Sequence, residues 1–173
     1  IAPEYKDISE FLSFDHKSEI ENYIDKVSKK SERERLSDVK TVSGVFSGAY
    51  AIHPFTGKKI PIWISDYVIA SYGTGAVMGV PAGDQRDFDF ANKFMIDIPN
   101  IFENIDISQA AFSDKSGFRL INSEFLNGLD YVKSLELIIQ EIENNGIGKS
   151  KIQFKLRDAT FSRQRYWGEP IPI

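Results

Sequence analysis

From Lys17 onward the apolar residues Ile20, Tyr23, Ile24 and Val27 recur at intervals of three and four, before KKSERER turns polar on every face. That spacing predicts an amphipathic helix within Lys17 to Ser37, its charged tail a solvated helix end or loop. Thr41 to Ile52 and Ile60 to Ala70 are rich in β-branched and aromatic residues, and HPFTGKK lies between them. With Pro54 and Gly57 positioned for a turn, the pair reads as a β-hairpin. The next run, SYGTGAVMGV from Ser71 to Val80, is apolar but punctuated by Gly73, Gly75 and Gly79. It reads as a third strand that a backbone or ligand can approach closely. Pro81 to Gly83 ends it, and a short helix is expected from Asp84 to Phe94. Residues Asp97 to Phe112 read as an irregular loop with isolated apolar anchors and no chemistry. Leu129, Val132, Leu135, Ile138, Ile139 and Ile142 then mark a longer helix stopped by Asn144-Asn145-Gly146, its apolar stripe expected to be core. Lys151 to Leu156 alternates apolar and polar, the period of a half-buried strand.

Composition narrows the classes. A chain of 173 residues, 42% hydrophobic and 13% aromatic, is long enough for one domain with its own core. Its net charge of -4 recruits no nucleic acid by a global basic field, so any such contact must be local. Without cysteine there is no disulfide and no thiolate nucleophile. His16 and His53 make no zinc spacing, and no metal is expected. No apolar run reaches the ~20 residues that span a bilayer, and the N-terminus lacks the layout of a signal peptide. A cytoplasmic protein with no membrane partner is expected. The chain starts at Ile1 rather than methionine and stops at Pro172-Ile173, so it reads as a piece of something longer.

Candidate chemistry concentrates where the glycine-rich run gives way to Asp84, Arg86, Asp87 and Asp89. Carboxylates converging at a strand mouth suit a cationic group on a substrate. Equally, Asp84 as N-cap with Asp87 three residues on resembles a capping pair, and spacing alone favours the cap. GTGAVMG lacks both the G-x-G-x-x-G pattern and the terminal Gly-Lys-Ser/Thr of a phosphate loop, so nucleotide binding is not expected. No G-x-S-x-G occurs to carry a serine nucleophile. Lys93 and Arg86 read as exposed cations in solvated ion pairs. Arg163, Gln164, Arg165, Tyr166, Trp167 and Gly168 combine guanidinium groups with aromatic rings. That chemistry suits phosphate and base stacking, and suits a domain junction equally well.

SYGTGAVMGVPAGDQRDFDFANKF, together with FSRQRYWGEPIPI, resembles the bacterial leucyl-tRNA synthetases, in the editing insertion that interrupts their catalytic domain. The likeness runs through GVFSGAYAIHPFTGKKIPIWISDYV and SEFLNGLDYVKSLELIIQEIENNGIG and covers nearly everything after Val39. It implies an α/β fold, a small β-barrel with peripheral helices, in which residues 1–156 form the editing domain and 157–173 an exit strand returning to the catalytic domain. The implied reaction is hydrolysis of wrongly charged tRNA(Leu), bearing isoleucine, norvaline or the like, with water as nucleophile. A second sieve is needed because an apolar pocket separates such side chains by only ~1–3 kcal/mol. By the same resemblance Asp87 binds the substrate α-ammonium and is the catalytic marker, with Asp84 a neighbouring acid. Met78 and Val80 lie near the amino-acid side chain, Tyr72 and Thr74 line the approach, and plain strand core is the structural alternative for Met78 and Val80. Arg86, Arg163, Arg165, Tyr166 and Trp167 fall to tRNA or interdomain contact. The implied partners are the tRNA(Leu) 3′ end and the parent catalytic domain in cis, the chain being a monomer. No cofactor is expected in this segment, ATP and magnesium belonging to the parent catalytic domain. The alternative is a non-catalytic tRNA-binding or interdomain module.

Three departures from the family pattern stand out. Gly83 replaces a histidine common among relatives, and Ala159 follows Arg157-Asp158 where tryptophan is usual. The family's threonine-rich segment precedes the stretch matching Ile1 to Glu4, so the isolated chain is expected to edit weakly or not at all.

Overall fold

The computed structural model describes residues 1–11, 16–30, 34–35, 42–70 and 73–152. The chain divides into two compact units, Ile1–Ile138 and Ile139–Ile173. In the first unit, α1 (Lys17–Ser28) turns Ile20 and Val27 inward. The helical spacing is thus realised over its apolar half. Its charged tail is not simply solvated, because Arg35 is 8% exposed and its Nη2 lies 2.6 Å from Glu4 Oε1.

The hairpin forms as expected, from β1 (Gly44–Ile52) and β2 (Lys59–Ser65), paired antiparallel with Gly44 opposite Ser65 and Ile52 opposite Lys59. A bulge between Phe46 and Tyr50 places Gly48 at φ 81°, a conformation that suits glycine. The connecting turn closes on His53, whose backbone N–H donates to Lys58 O at 2.8 Å. His53 Nδ1 accepts from the amides of Phe55 and Thr56 at 3.3 and 3.2 Å. This histidine therefore works as a turn cap, and Gly57 supplies the positive φ of 66° that completes the turn.

Ile20, Val45 and Ile64 join α1 to the sheet in one core, with Ile8, Tyr23 and Ile24 packed around it. On the sheet, Trp63 meets Phe46, Phe90 and Phe94 at ring separations of 5.5, 5.6 and 4.6 Å. Phe90 and Phe94 anchor α2 (Gln85–Lys93), which buries Phe88, Phe90 and Ala91. Gly44 is required at this junction, since a Cβ there would lie 2.8 Å from the Phe90 ring.

Among the described residues the third strand is not formed. The described sheet has two strands, and residues 73–80 run as turn and coil. Gly73 and Gly75 stand at φ 64° and 80°, and left-handed residues break the extended ladder a strand requires. The described residues are thus α/β with an open two-stranded sheet, and no closed barrel is formed by them.

The loop from Asp97 also departs from expectation. Its anchors are not isolated: Phe102 and Ile107 bury with Ala82, and Ile98, Ile101, Ile105, Phe112 and Phe118 pack around them. Phe102, Phe112 and Phe118 stack edge to face at 4.8 to 5.8 Å. The amide of Phe112 donates to Ala82 O at 2.9 Å, tying this second core to the turn before α2.

Helix α3 (Tyr131–Asn144) begins in the first unit, where Asp130 Oδ1 accepts the amide of Lys133 at 3.0 Å. That bond holds the Asp130 carboxyl below its usual range. The stripe expected to be core is only partly covered: Val132 is 62% and Leu135 45% exposed, Leu129, Ile138, Ile139 and Ile142 are half-buried, and Ser134 is the residue α3 buries. In the second unit Gly146 terminates the helix at φ 65°, as the Asn-Asn-Gly stop predicts. Lys151 and Ile152 are coil, and the rest of the expected exit strand, with the 156/157 domain division, lies outside the described residues. Among the described residues no helix is long and apolar enough to cross a membrane.

Candidate functional site

The site is built at the N-terminus of α2. Asp84, in extended backbone, accepts from the amides of Arg86 and Asp87 at 2.9 and 3.1 Å. It is the N-cap that sequence spacing predicts. Asp87 does not complete the capping pair. Its Oδ2 accepts the amide of Val80 at 2.7 Å, and its Oδ1 accepts the hydroxyl of Tyr67 at 2.7 Å. The amide of Asp84 goes instead to Val80 O at 2.8 Å, because the Pro81–Gly83 turn folds the preceding chain back over the helix start.

Asp87 is therefore the point where three segments meet: the glycine-rich run, α2, and the turn after β2. Tyr67 is half-buried there. The Arg86 guanidinium lies 4.9 Å over its ring, and Phe90 meets the ring at 5.7 Å. Burial pushes the Tyr67 phenol well above its ordinary range, reinforced by its hydrogen bond to Asp87 and by the charges of Asp87 and Asp84. The hydroxyl stays protonated and donates. Sequence reasoning missed Tyr67 and the Val80 amide, and nothing in the spacing signals a tyrosine twenty residues from its partner.

Met78 and Val80 are exposed, Met78 at 61%, so the strand-core alternative does not hold. They flank Gly79, where a Cβ would lie 3.7 Å from Asp87 Oδ2, and the apolar run thus passes directly beside the carboxylate. Thr74 turns back on its own loop, its hydroxyl accepting the Ala76 amide at 3.3 Å. Arg86 reaches Arg35 O at 3.5 Å besides covering Tyr67. Lys93 is exposed as expected, and its Nζ donates to Val42 O at 2.6 Å. At Gly83 a Cβ would meet Val80 Cγ1 at 3.5 Å and Phe102 Cζ at 3.8 Å, ordinary contacts for a Cβ. Tyr72, Arg163, Arg165, Tyr166 and Trp167 lie outside the described residues.

Two hollows of about 380 and 440 Å³ include neither Asp84 nor Asp87, and the larger is lined in part by Phe88 and Asn92 of α2. Asp84 is exposed and Asp87 half-buried, with the exposed Met78 and Val80 beside Asp87. Among the described residues no three His, Cys, Asp or Glu side chains gather as a metal site. Such a face can pair a cation with Asp87 while an apolar group rests on Met78 and Val80.

The family model described as "Leucyl-tRNA synthetase, editing domain" matches residues 1–143. The chain is 57% identical over its whole length to a leucine–tRNA ligase of Christiangramia forsetii and 54% identical to that of Flavobacterium psychrophilum. It spans 18% of the length of each. A solved structure with TM-score 0.67 and 24% identity is the ternary LeuRS–tRNA–LeuAMS complex of Agrobacterium radiobacter K84, covering 91% of this chain and 16% of that one. At that identity the likeness is one of fold.

Proposed function

This chain belongs to the leucyl-tRNA synthetase editing-domain family, and on that premise we propose that it hydrolyses the ester of tRNA(Leu) carrying isoleucine, norvaline or a similar wrong amino acid. The observation that carries this reading is the Asp87 carboxylate, held from both oxygens beside the exposed Met78 and Val80. A substrate α-ammonium pairs with that carboxylate, and the amino-acid side chain rests on the apolar run. Anchoring the ammonium fixes the ester carbonyl against an attacking water, the nucleophile, so that positioning replaces a side-chain general base. In the full-length synthetase the sheet belongs to a small barrel whose other parts complete the pocket. The tRNA 3′ end reaches it from the catalytic domain in cis.

A non-catalytic module is the second reading, favoured by the purely structural bonds that Asp84 and Asp87 also make. Deacylation of isoleucyl-tRNA(Leu) by the full-length synthetase separates the two. Asp87→Ala is expected to lower it on the order of 100-fold, the loss typical of removing one partner of a bonded charge pair, while leucylation persists. Undiminished deacylation would assign Asp87 to structure alone.

A further inference from the structure

A carboxylate turns easily about its last bond, since that torsion is broad. In Asp87 it is pinned: the Val80 amide holds Oδ2 and the Tyr67 hydroxyl holds Oδ1, both at 2.7 Å. The Val80 amide comes from backbone that lies against the helix start. The Tyr67 hydroxyl comes from the turn after β2, and its ring is itself gripped by the Arg86 guanidinium at 4.9 Å and by Phe90 at 5.7 Å.

Resting on the editing function proposed above, we propose that Tyr67 is a positioning residue, whose hydroxyl orients the Asp87 carboxylate toward the α-ammonium of the aminoacyl ester. Two donors occupy two of the roughly four acceptor directions of a carboxylate. The rest stay open to a ligand, in a plane the protein has already fixed. An ion pair at a half-exposed site contributes little when both partners must be ordered on contact. Ordering one of them beforehand removes that cost from binding. The ring is packed between Arg86 and Phe90, so the hydroxyl has one place to point.

Tyr67→Phe removes the hydroxyl and keeps the ring. In the full-length synthetase, under single-turnover conditions with enzyme in excess, the substrates are isoleucyl-tRNA(Leu) and the same tRNA bearing the 2-hydroxy analogue of isoleucine, which has no ammonium. The variant is expected to lose about tenfold on the isoleucyl ester, as for a lost hydrogen bond to a charged group, chiefly through the enzyme concentration giving half-maximal rate. It is expected to keep its rate on the hydroxyacyl ester within about twofold, because the lost bond acts only through the ammonium contact. Equal losses on both esters would make Tyr67 a structural strut, and no loss on the isoleucyl ester would leave it without a role; either result overturns the assignment. Asp87→Ala runs alongside. If it abolishes isoleucyl hydrolysis while Tyr67→Phe matches the native enzyme, only the positioning role falls. If Asp87→Ala leaves hydrolysis intact, the editing reading falls and takes this one with it.

Discussion

Helices α2 and α3 invert what their sequences advertise. α3 carries the longest regular apolar stripe in the chain, yet Val132 and Leu135 lie open on its surface. α2 is short and polar, QRDFDFANK, yet it buries Phe88, Phe90 and Ala91. The difference lies in their partners. Across from α2 stand Trp63 and Tyr67, from β2 and the turn after it, whereas the described residues of the first unit lay nothing comparable over Val132 and Leu135. Periodicity identifies which face of a helix is apolar; burial needs a second surface, which the helix cannot specify.

The sharpest way to break this contrast is Phe90→Ala. Emptying a buried aromatic site against Trp63 and Phe94 is expected to cost ~3–5 kcal/mol, read by thermal or denaturant unfolding. A loss under 1 kcal/mol would mean that α2 is not the anchored helix. Next in size is Asp84→Ala, which frees the amides of Arg86 and Asp87 and is expected to cost ~0.5–2 kcal/mol in the same measurement. If Asp84 is only a cap, deacylation per folded molecule stays at the native rate; a loss of deacylation at unchanged stability would make it part of the substrate site. The smallest effect belongs to α3: Leu135→Ala, at an exposed position, is expected to change stability by no more than ~0.5 kcal/mol. A cost near that of Phe90→Ala would show the stripe to be covered after all, and the contrast between the helices would vanish.

The same contrast explains which parts of the site were legible. Asp84 as N-cap follows from local rules, because a cap bonds amides two and three residues ahead and needs no distant partner. The hairpin was legible for a like reason, its turn chemistry lying within HPFTGKK. Asp87 was legible by position and by family resemblance, but its actual partners were not. Its spacing suggested a bond back to the Asp84 amide, and the chain instead brings Val80 over the helix and Tyr67 from the turn after β2. The glycine-rich run misled for a physical reason: Gly73 and Gly75 license strand and left-handed turn alike, and only the folded chain chooses.

The sequence by itself determined three helices to within a few residues, the hairpin and its turn, the cap at Asp84, and a family resemblance placing an acid at position 87. Those features rest on bonds and periodicities spanning a few residues, so local chemistry suffices to write them. Tertiary structure alone decided that the scattered phenylalanines after Asp97 form a second core and that Val132 and Leu135 of the α3 stripe lie exposed. It also decided that a tyrosine from the turn after β2 grips the carboxylate at the head of α2. Each of these depends on surfaces that meet only after the chain has closed long loops, and no local pattern encodes where such surfaces come together.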